Sequence, residues 1–368
     1  MKDVLKLNEI SPLVKTVFAD KYQMVDKSEN PEAIILRSFK MQGYDLPESV
    51  KCVGRAGAGT NNIPCDEYAK RGVVVFNTPG ANANAVKELV ISALFLASRS
   101  ISEGIAWANT LSDGEKTVAE QVEKGKKAFA GCEILGKTLG IFGLGAIGRK
   151  VADSAKALGM EVVGYDPFVK ETDGIKVVAT PEELYGLADY ITFHVPLNDS
   201  TRGMINKDAI EKMKDGVKVL NFSRGEIVVN SDIISACESG KVSKYICDFP
   251  VADLLNKKNI VCIPHLGAST EEAEDNCAVM VAKEIVDFIE NGNIVNSVNY
   301  PKVVLDGNYA HKILVLFDSA KQTAENIAKA FKAEKYVSGD KKGMGAVLMG
   351  VSELTDYNAD GIKKVYKF

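Results

Sequence analysis

At 368 residues the chain is too long for one ordinary hydrophobic core, so two or three domains are expected. Hydrophobic residues at 46% and charged residues at 26% are the proportions of a soluble globular protein and exclude a disordered or fibrous chain. A net charge of −4 gives no electrostatic reason to expect nucleic acid or an anionic membrane surface as partner.

The N-terminal Met-Lys-Asp-Val-Leu-Lys-Leu-Asn has no apolar run of signal-peptide length. Residues 1 to 80 alternate short strands and helices. Ala33–Arg37, Val50–Gly54 and Val73–Phe76 read as strands. They end at Arg37-Ser38, at Arg55-Ala-Gly-Ala-Gly-Thr-Asn-Asn62 and at Asn77-Thr-Pro-Gly80. Ligands of a parallel α/β sheet bind beyond the carboxyl ends of its strands, where Arg37 and Arg55 fall. The alternative for both is a solvated surface arginine.

Ala81 to Thr110 reads as one long helix, with Val86, Leu89, Val90, Ala93, Leu94, Ala97, Ile101 and Ile105 on one face. Leu96 and Trp107 add apolar surface off that stripe, so another domain or subunit is expected to cover it. Its most apolar part, Leu89–Ser98, is about half a membrane span, so a buried helix is expected and no membrane segment. Asp113 to Gly131 is polar and lysine-rich and reads as loop.

Thr138–Phe142 is a short buried strand, and Gly143-Leu-Gly-Ala-Ile-Gly148 then turns into a helix. A second strand, Glu161–Asp166, ends in an acid. This strand–turn–helix–strand frame is the context that a dinucleotide fingerprint needs. Gly143 permits the tight turn, Gly145 lets the backbone approach a pyrophosphate, and Gly148 lets helix and strand pack closely. The helix N-terminus offers N–H groups to the phosphates. Asp166, at the position that accepts from the ribose hydroxyls, favours NAD over NADP.

The alternation continues. Ile175–Val178 precedes a helix opened by Thr180 as cap and Pro181. Strands Tyr190–Val195, Val217–Phe222, Lys244–Asp248 and Ile260–Ile263 end at Pro196, at Ser223-Arg224-Gly225, at Phe249-Pro250 and at Pro264-His265. All four ends are expected to line the cofactor cleft. Glu271–Asn291 is one helix. Residues 301 to 368 read as a separate small unit: a strand, a helix, a hairpin around Gly343, a short helix and a last strand. Seven cysteines without a CxxC pair suit reduced thiols in a cytosol better than disulfides or a zinc site, and no metal is expected.

Of three histidines, His194 ends a strand among apolar residues and reads as structural, and His311 reads as surface. His265 lies at the cleft mouth. Exchanging an alcohol and a ketone by hydride transfer needs a base of near-neutral pKa, a carboxylate to steady it and a cation for the substrate carboxylate. His265, Asp253 and Arg224 are placed for these roles.

The dinucleotide turn with Asp166, Asn-Phe-Ser-Arg224-Gly and Pro-His265-Leu-Gly-Ala-Ser-Thr together resemble the D-2-hydroxyacid dehydrogenases. The likeness covers about residues 1 to 300. Arg55-Ala-Gly-Ala-Gly-Thr-Asn-Asn, Phe76-Asn-Thr-Pro-Gly-Ala-Asn-Ala-Asn and Asn296-Ser-Val-Asn299 are similar to members that act on D-3-phosphoglycerate. The resemblance implies a Rossmann NAD-binding domain, 82–266, inserted in a flavodoxin-like substrate-binding domain, 1–81 and 267–300. A small α+β ACT-like domain, 301–368, would follow.

It implies NAD-dependent oxidation of D-3-phosphoglycerate to 3-phosphohydroxypyruvate by a cytoplasmic homodimer or homotetramer. Alternatives are a reductase for hydroxypyruvate or another small 2-oxoacid, and an NAD-sensing interaction protein. Gly143, Gly145, Ala146, Ile147, Gly148, Asp166, Val195, Pro196, Phe222, Ser223, Arg224, Asp248, His265, Gly267 and Ala268 would line the cofactor. Ala58 and Gly59 would hold the substrate carboxylate end, with Arg37 and Arg55 near the phosphate. Lys126 or Lys127 would reach a neighbouring subunit's substrate. Two departures stand out. Asp253 replaces the family's Glu, and Asp318-Ser-Ala320 replaces the Asn-x-Pro turn where serine would bind.

Overall fold

A computed structural model describes all 368 residues. The chain divides into two compact units, residues 1–82 with 271–368, and residues 83–270.

In the first unit β1 (Lys2–Lys6), β2 (Tyr22–Val25), β3 (Ala33–Leu36), β4 (Cys52–Arg55) and β5 (Val74–Phe76) form a parallel sheet in the order β2-β1-β3-β4-β5. All four residues of β3 and all three of β5 are buried, as strands covered on both faces require. Helices α1 (Lys15–Phe18) and α2 (Cys65–Lys70) lie in the crossovers. The order is that of flavodoxin-like folds.

The second unit opens with α3 (Ala83–Ser98) and α4 (Ile101–Ala108), bent by 72° where one helix is expected. In a continuous helix Ser98 O would bond residue 102; here it accepts Cys132 N at 2.9 Å, which ends the ladder. α3 buries Val86, Val90, Ala93, Leu94 and Ala97, whereas Ile101 and Ile105 of α4 are exposed. No single helix is long and apolar enough to cross a membrane. The polar stretch after α4, expected as loop, contains α5 (Val118–Gly125). A capping box starts it: Glu120 N donates to the Thr117 hydroxyl and Thr117 N to the Glu120 carboxylate.

There follow β6 (Thr138–Phe142), α6 (Ala146–Ala157), β7 (Glu161–Tyr165), β8 (Lys176–Val177), α7 (Pro181–Leu187) and β9 (Tyr190–Phe193). Then come α8 (Lys207–Glu211), β10 (Val217–Asn221), α9 (Asn230–Ser239), β11 (Val242–Cys247) and β12 (Ile260–Cys262). The seven strands are parallel, in the order β12-β11-β10-β9-β6-β7-β8. The chain runs outward from β6 to β8 and then returns to the other side of β6. The order therefore reverses between β6 and β9, the switch point at which doubly wound sheets bind ligands.

The chain re-enters the first unit with α10 (Glu271–Asn291). β13 (His311–Asp318), α11 (Ala324–Ala330), β14 (Lys335–Lys341), β15 (Met344–Val351) and β16 (Ile362–Lys367) complete it. These strands form an antiparallel sheet, β14-β15-β13-β16, with Lys342 and Gly343 at positive φ in the hairpin turn. The short helix expected before β16 does not form. Residues 352–361 bring little more than Tyr357 to the core, too little apolar surface to bury a helix face.

One face of this sheet covers α11, with Ile313, Val315 and Phe317 against Ile327 and Phe331. The other, through Leu314, Leu316, Leu348 and Tyr366, joins Val281, Ile285 and Phe288 of α10 in one core with the first sheet. The segment expected as a separate unit is thus a separate sheet without a fully separate core.

Candidate active site

The turn after β6 sorts its glycines by space. Gly143 has φ +87°, and a Cβ there would lie 2.4 Å from His194 O. A Cβ on Gly148 would lie 2.0 Å from Gly143 O, so α6 and the turn pack only without a side chain. Gly145 differs: it is exposed, and nothing lies within 4 Å of its would-be Cβ. It precedes α6 with no side-chain cap, so the first N–H groups of the helix, at Ala146, Ile147 and Gly148, keep no side-chain acceptor. This open, uncapped helix start fits a pyrophosphate. Asp166, past the end of β7, accepts Leu144 N and Phe168 N at 2.9 Å each.

Three further strand ends converge. Val195 and Pro196 follow β9, and Val195 O accepts the Ser223 hydroxyl. After β10, Asn221 is fully buried; its Nδ2 donates to Arg224 O at 2.8 Å and its Oδ1 accepts Ser223 N at 3.2 Å. Those bonds set the extended backbone of Arg224, whose Nη1 donates to Ser223 O at 2.6 Å. Phe222 is buried beside it.

After β11 comes Asp248, 1% exposed, with Oδ1 buried and unpartnered. Burial raises its pKa, while the His265 charge, the Gly267 N–H and the Arg224 charge pull it back. Gly267 is buried so close that a Cβ would stand 3.3 Å from Asp248 Oδ2, and Ala268 is half-buried next to it. A buried carboxylate oxygen without a donor is a vacancy that a cofactor amide fits. NAD thus fits both the open turn and this orphan acceptor.

His265 is exposed, its N–H bonded to Asp248 O at 3.1 Å. Its ring stands 5.0 Å from that of Phe249, tilted by 56°. His265, Asp248, Phe249, Glu226 and Tyr245 line a cavity of about 450 Å³. Asp253, expected to steady the imidazole, is exposed on the turn Ala252–Leu254 and makes no ion pair with it. That turn is anchored by buried Leu254. The His265 charge acts on the Asp248 carboxyl. Asn221 is a supporting residue the sequence did not single out, hinted at only by its adjacency to the Ser-Arg-Gly turn, whereas Phe249 falls at one of the strand ends expected to line the cleft.

The other histidines carry no such role. His194 bonds Thr192 through Nε2 at 3.2 Å, and burial lowers its pKa to about 3, so it is uncharged at neutral pH. His311 is half-buried at the start of β13.

In the first unit Arg37 and Arg55 both stand at strand ends, and Arg55 Nε donates to Arg37 O at 3.0 Å. Arg55 folds across Gly57, where a Cβ would meet its Nη1 at 2.6 Å. Arg37 forms an ion pair with Glu274 of α10, a commitment that no local signal announced. Ala58 O accepts Asn77 Nδ2, and Gly59 is half-buried beside it. Lys126 in the second unit is exposed and paired with Glu123, and Lys127 is exposed.

The model of the D-isomer specific 2-hydroxyacid dehydrogenase NAD-binding domain matches residues 101–267. D-3-phosphoglycerate dehydrogenase of Methanocaldococcus jannaschii is 33% identical over 316 residues, 82% of this chain and 58% of its own length. That of Bacillus subtilis is 34% identical over 83% of this chain and 59% of its own length. The chain thus spans somewhat more than half the length of the curated relatives it matches. Among solved structures, NAD+-bound 3-phosphoglycerate dehydrogenase of Entamoeba histolytica superimposes with TM-score 0.66 at 27% identity. It covers 81% of this chain and 98% of its own. A glyoxylate reductase from Paecilomyes thermophila gives 0.68 at 26%, with 81% and 98% covered.

Proposed function

We propose that this chain, whose residues 101–267 match the D-isomer specific 2-hydroxyacid dehydrogenase NAD-binding domain, is a member of that family and oxidises D-3-phosphoglycerate to 3-phosphohydroxypyruvate. This is the entry step of L-serine biosynthesis. The observation that carries the reading is the convergence of Arg224, Asp248 and His265 past three adjacent strands, beside an open, uncapped helix start.

NAD, when bound, supplies the hydride acceptor. His265 takes the hydroxyl proton, since its exposed ring has no hydrogen-bond partner in the protein and is free to meet a substrate. Arg224 spends one donor on Ser223 O and keeps others of its fork for the substrate carboxylate. Asp248, with its unpartnered Oδ1, would hold the cofactor amide, and its negative charge favours the His265 imidazolium. Asp253 adds to that charge only if its turn moves toward His265. The backbone at Ala58-Gly59 receives the substrate carboxylate end, and Arg55 with Arg37 the phosphate.

Residues 1–81 and 267–300 serve substrate and 82–266 the cofactor, while 301–368 form the ACT-like unit. The working form is a cytoplasmic homodimer or homotetramer, with Lys126 reaching toward the neighbouring subunit's substrate.

A second reading, reduction of hydroxypyruvate or another small 2-oxoacid, is favoured by one observation: Glu274 already neutralises Arg37. One spectrophotometric panel separates the two. NADH should appear with D-3-phosphoglycerate; if NADH is instead consumed only with unphosphorylated oxoacids, the second reading replaces the first.

A further inference from the structure

All seven cysteines are free thiols, and two of them meet. Cys247 on β11 and Cys262 on β12 are register partners in adjacent parallel strands, with sulfurs 3.9 Å apart. Neighbouring strands run about 4.8 Å apart, within the ~4.4–6.8 Å that Cα atoms of a disulfide span. We propose that Cys247 and Cys262 are a reversible disulfide site, and that closing it disables the catalytic end of the sheet.

The consequence follows from what comes next in the chain. Asp248 directly follows Cys247, and His265 lies three residues beyond Cys262. Ile263 N donates to Cys247 O at 2.8 Å and His265 N to Asp248 O at 3.1 Å, so the two strand ends move as neighbours. Forming the bond draws the sulfurs in to about 2.05 Å. β12 is the edge strand, held on one side only, and has three half-buried residues. It is therefore the strand that yields, and it carries His265 with it.

A peroxide balances the step. The sulfur of Cys262, half-buried and the more accessible of the two, attacks the peroxide oxygen as thiolate. The O–O bond breaks, leaving a sulfenic acid on Cys262 and water. The sulfur of Cys247, a buried thiol whose pKa burial pushes up to about 12, then displaces hydroxide, which leaves as water with the thiol proton. In total two thiols and one peroxide give a disulfide and two waters, and a dithiol reductant reverses it.

The test treats the full chain with hydrogen peroxide, blocks remaining thiols with N-ethylmaleimide, and reads intact mass, peptide map and dehydrogenase turnover. The expected product is lighter by two hydrogens, with the peptides of Cys247 and Cys262 joined. Turnover should fall by about 10²-fold, as for a reacting group displaced by ~1 Å, and recover with dithiothreitol. Cys262→Ser, and Cys262→Ala as a second variant, should keep untreated turnover and resist peroxide. Oxygen adducts without a joined peptide overturn the site; a joined peptide with unchanged turnover overturns its effect. The loss of turnover rests on the function proposed above, but the crosslink is read by mass. A protein inactive before treatment would therefore fail that function and leave the crosslink to be judged on its own.

Discussion

Asp166 has both carboxylate oxygens bonded to backbone N–H groups, yet a carboxylate has about four acceptor sites, which leaves two for ribose hydroxyls. A 2′-phosphate would meet this held negative charge. Comparing kcat/KM for NAD and NADP should show a strong preference for NAD, narrowed in Asp166→Ala; equal values in the unmutated protein would refute the role. For the arginines, Arg55→Ala should cost phosphoglycerate several kcal/mol more than an unphosphorylated analogue, since it leaves a phosphate unpaired. Glu274→Gln, which releases Arg37, should lower KM for the phosphorylated substrate alone. No change on either substrate would mean that Arg37 is structural and would favour the oxoacid reading.

Glu284 makes a separate prediction. It is buried on α10, accepts a bond from Asn296, keeps Oε2 unpartnered, and burial raises its pKa from 4.5 to about 7. The fold therefore prefers the protonated acid. The stabilisation is complete below pH 4.5 and is lost as pH rises through about 7, roughly 3 kcal/mol at ~1.4 kcal/mol per pKa unit. Chemical denaturation at about pH 5 and about pH 8 should show this loss in the unmutated protein and not in Glu284→Gln.

At the scale of elements, the turn between β6 and α6 separates a folding glycine from a binding one. Gly148→Ala forces a Cβ to 2.0 Å from Gly143 O and should destabilise the second unit by about 3 kcal/mol or more. Gly145→Ala enters open space and should leave thermal stability nearly unchanged while weakening NAD binding. Equal thermal losses in both variants would contradict this division. The same turn was legible in the sequence because strand, glycines, helix and acid are local and close together. The capping box of α5 was equally local, Thr117 with Glu120, but lay in a stretch whose polarity reads as loop. The break between α3 and α4 was not legible. It depends on Cys132, far along the chain, taking the carbonyl of Ser98.

For the whole molecule, the C-terminal sheet is the decisive case. Leu314, Leu316, Leu348 and Tyr366 complete the core that covers the first sheet, so removing 301–368 should expose that core and lower the melting temperature of the remainder. An undiminished melting temperature would show that the two sheets are independent after all.

The sequence by itself determined the alternation of strands and helices, the dinucleotide turn with Asp166, and the strand ends that carry Arg224 and His265. These rest on side-chain periodicity, glycine conformation and neighbours within a few residues. Only the tertiary structure decided that Asp248 stands beside His265, that Glu274 holds Arg37, that Cys247 faces Cys262, and that the last sheet shares a core with the first. Each of these is a meeting of segments separated along the chain, and which segments meet is set by how the sheets and helices pack, which no local pattern encodes.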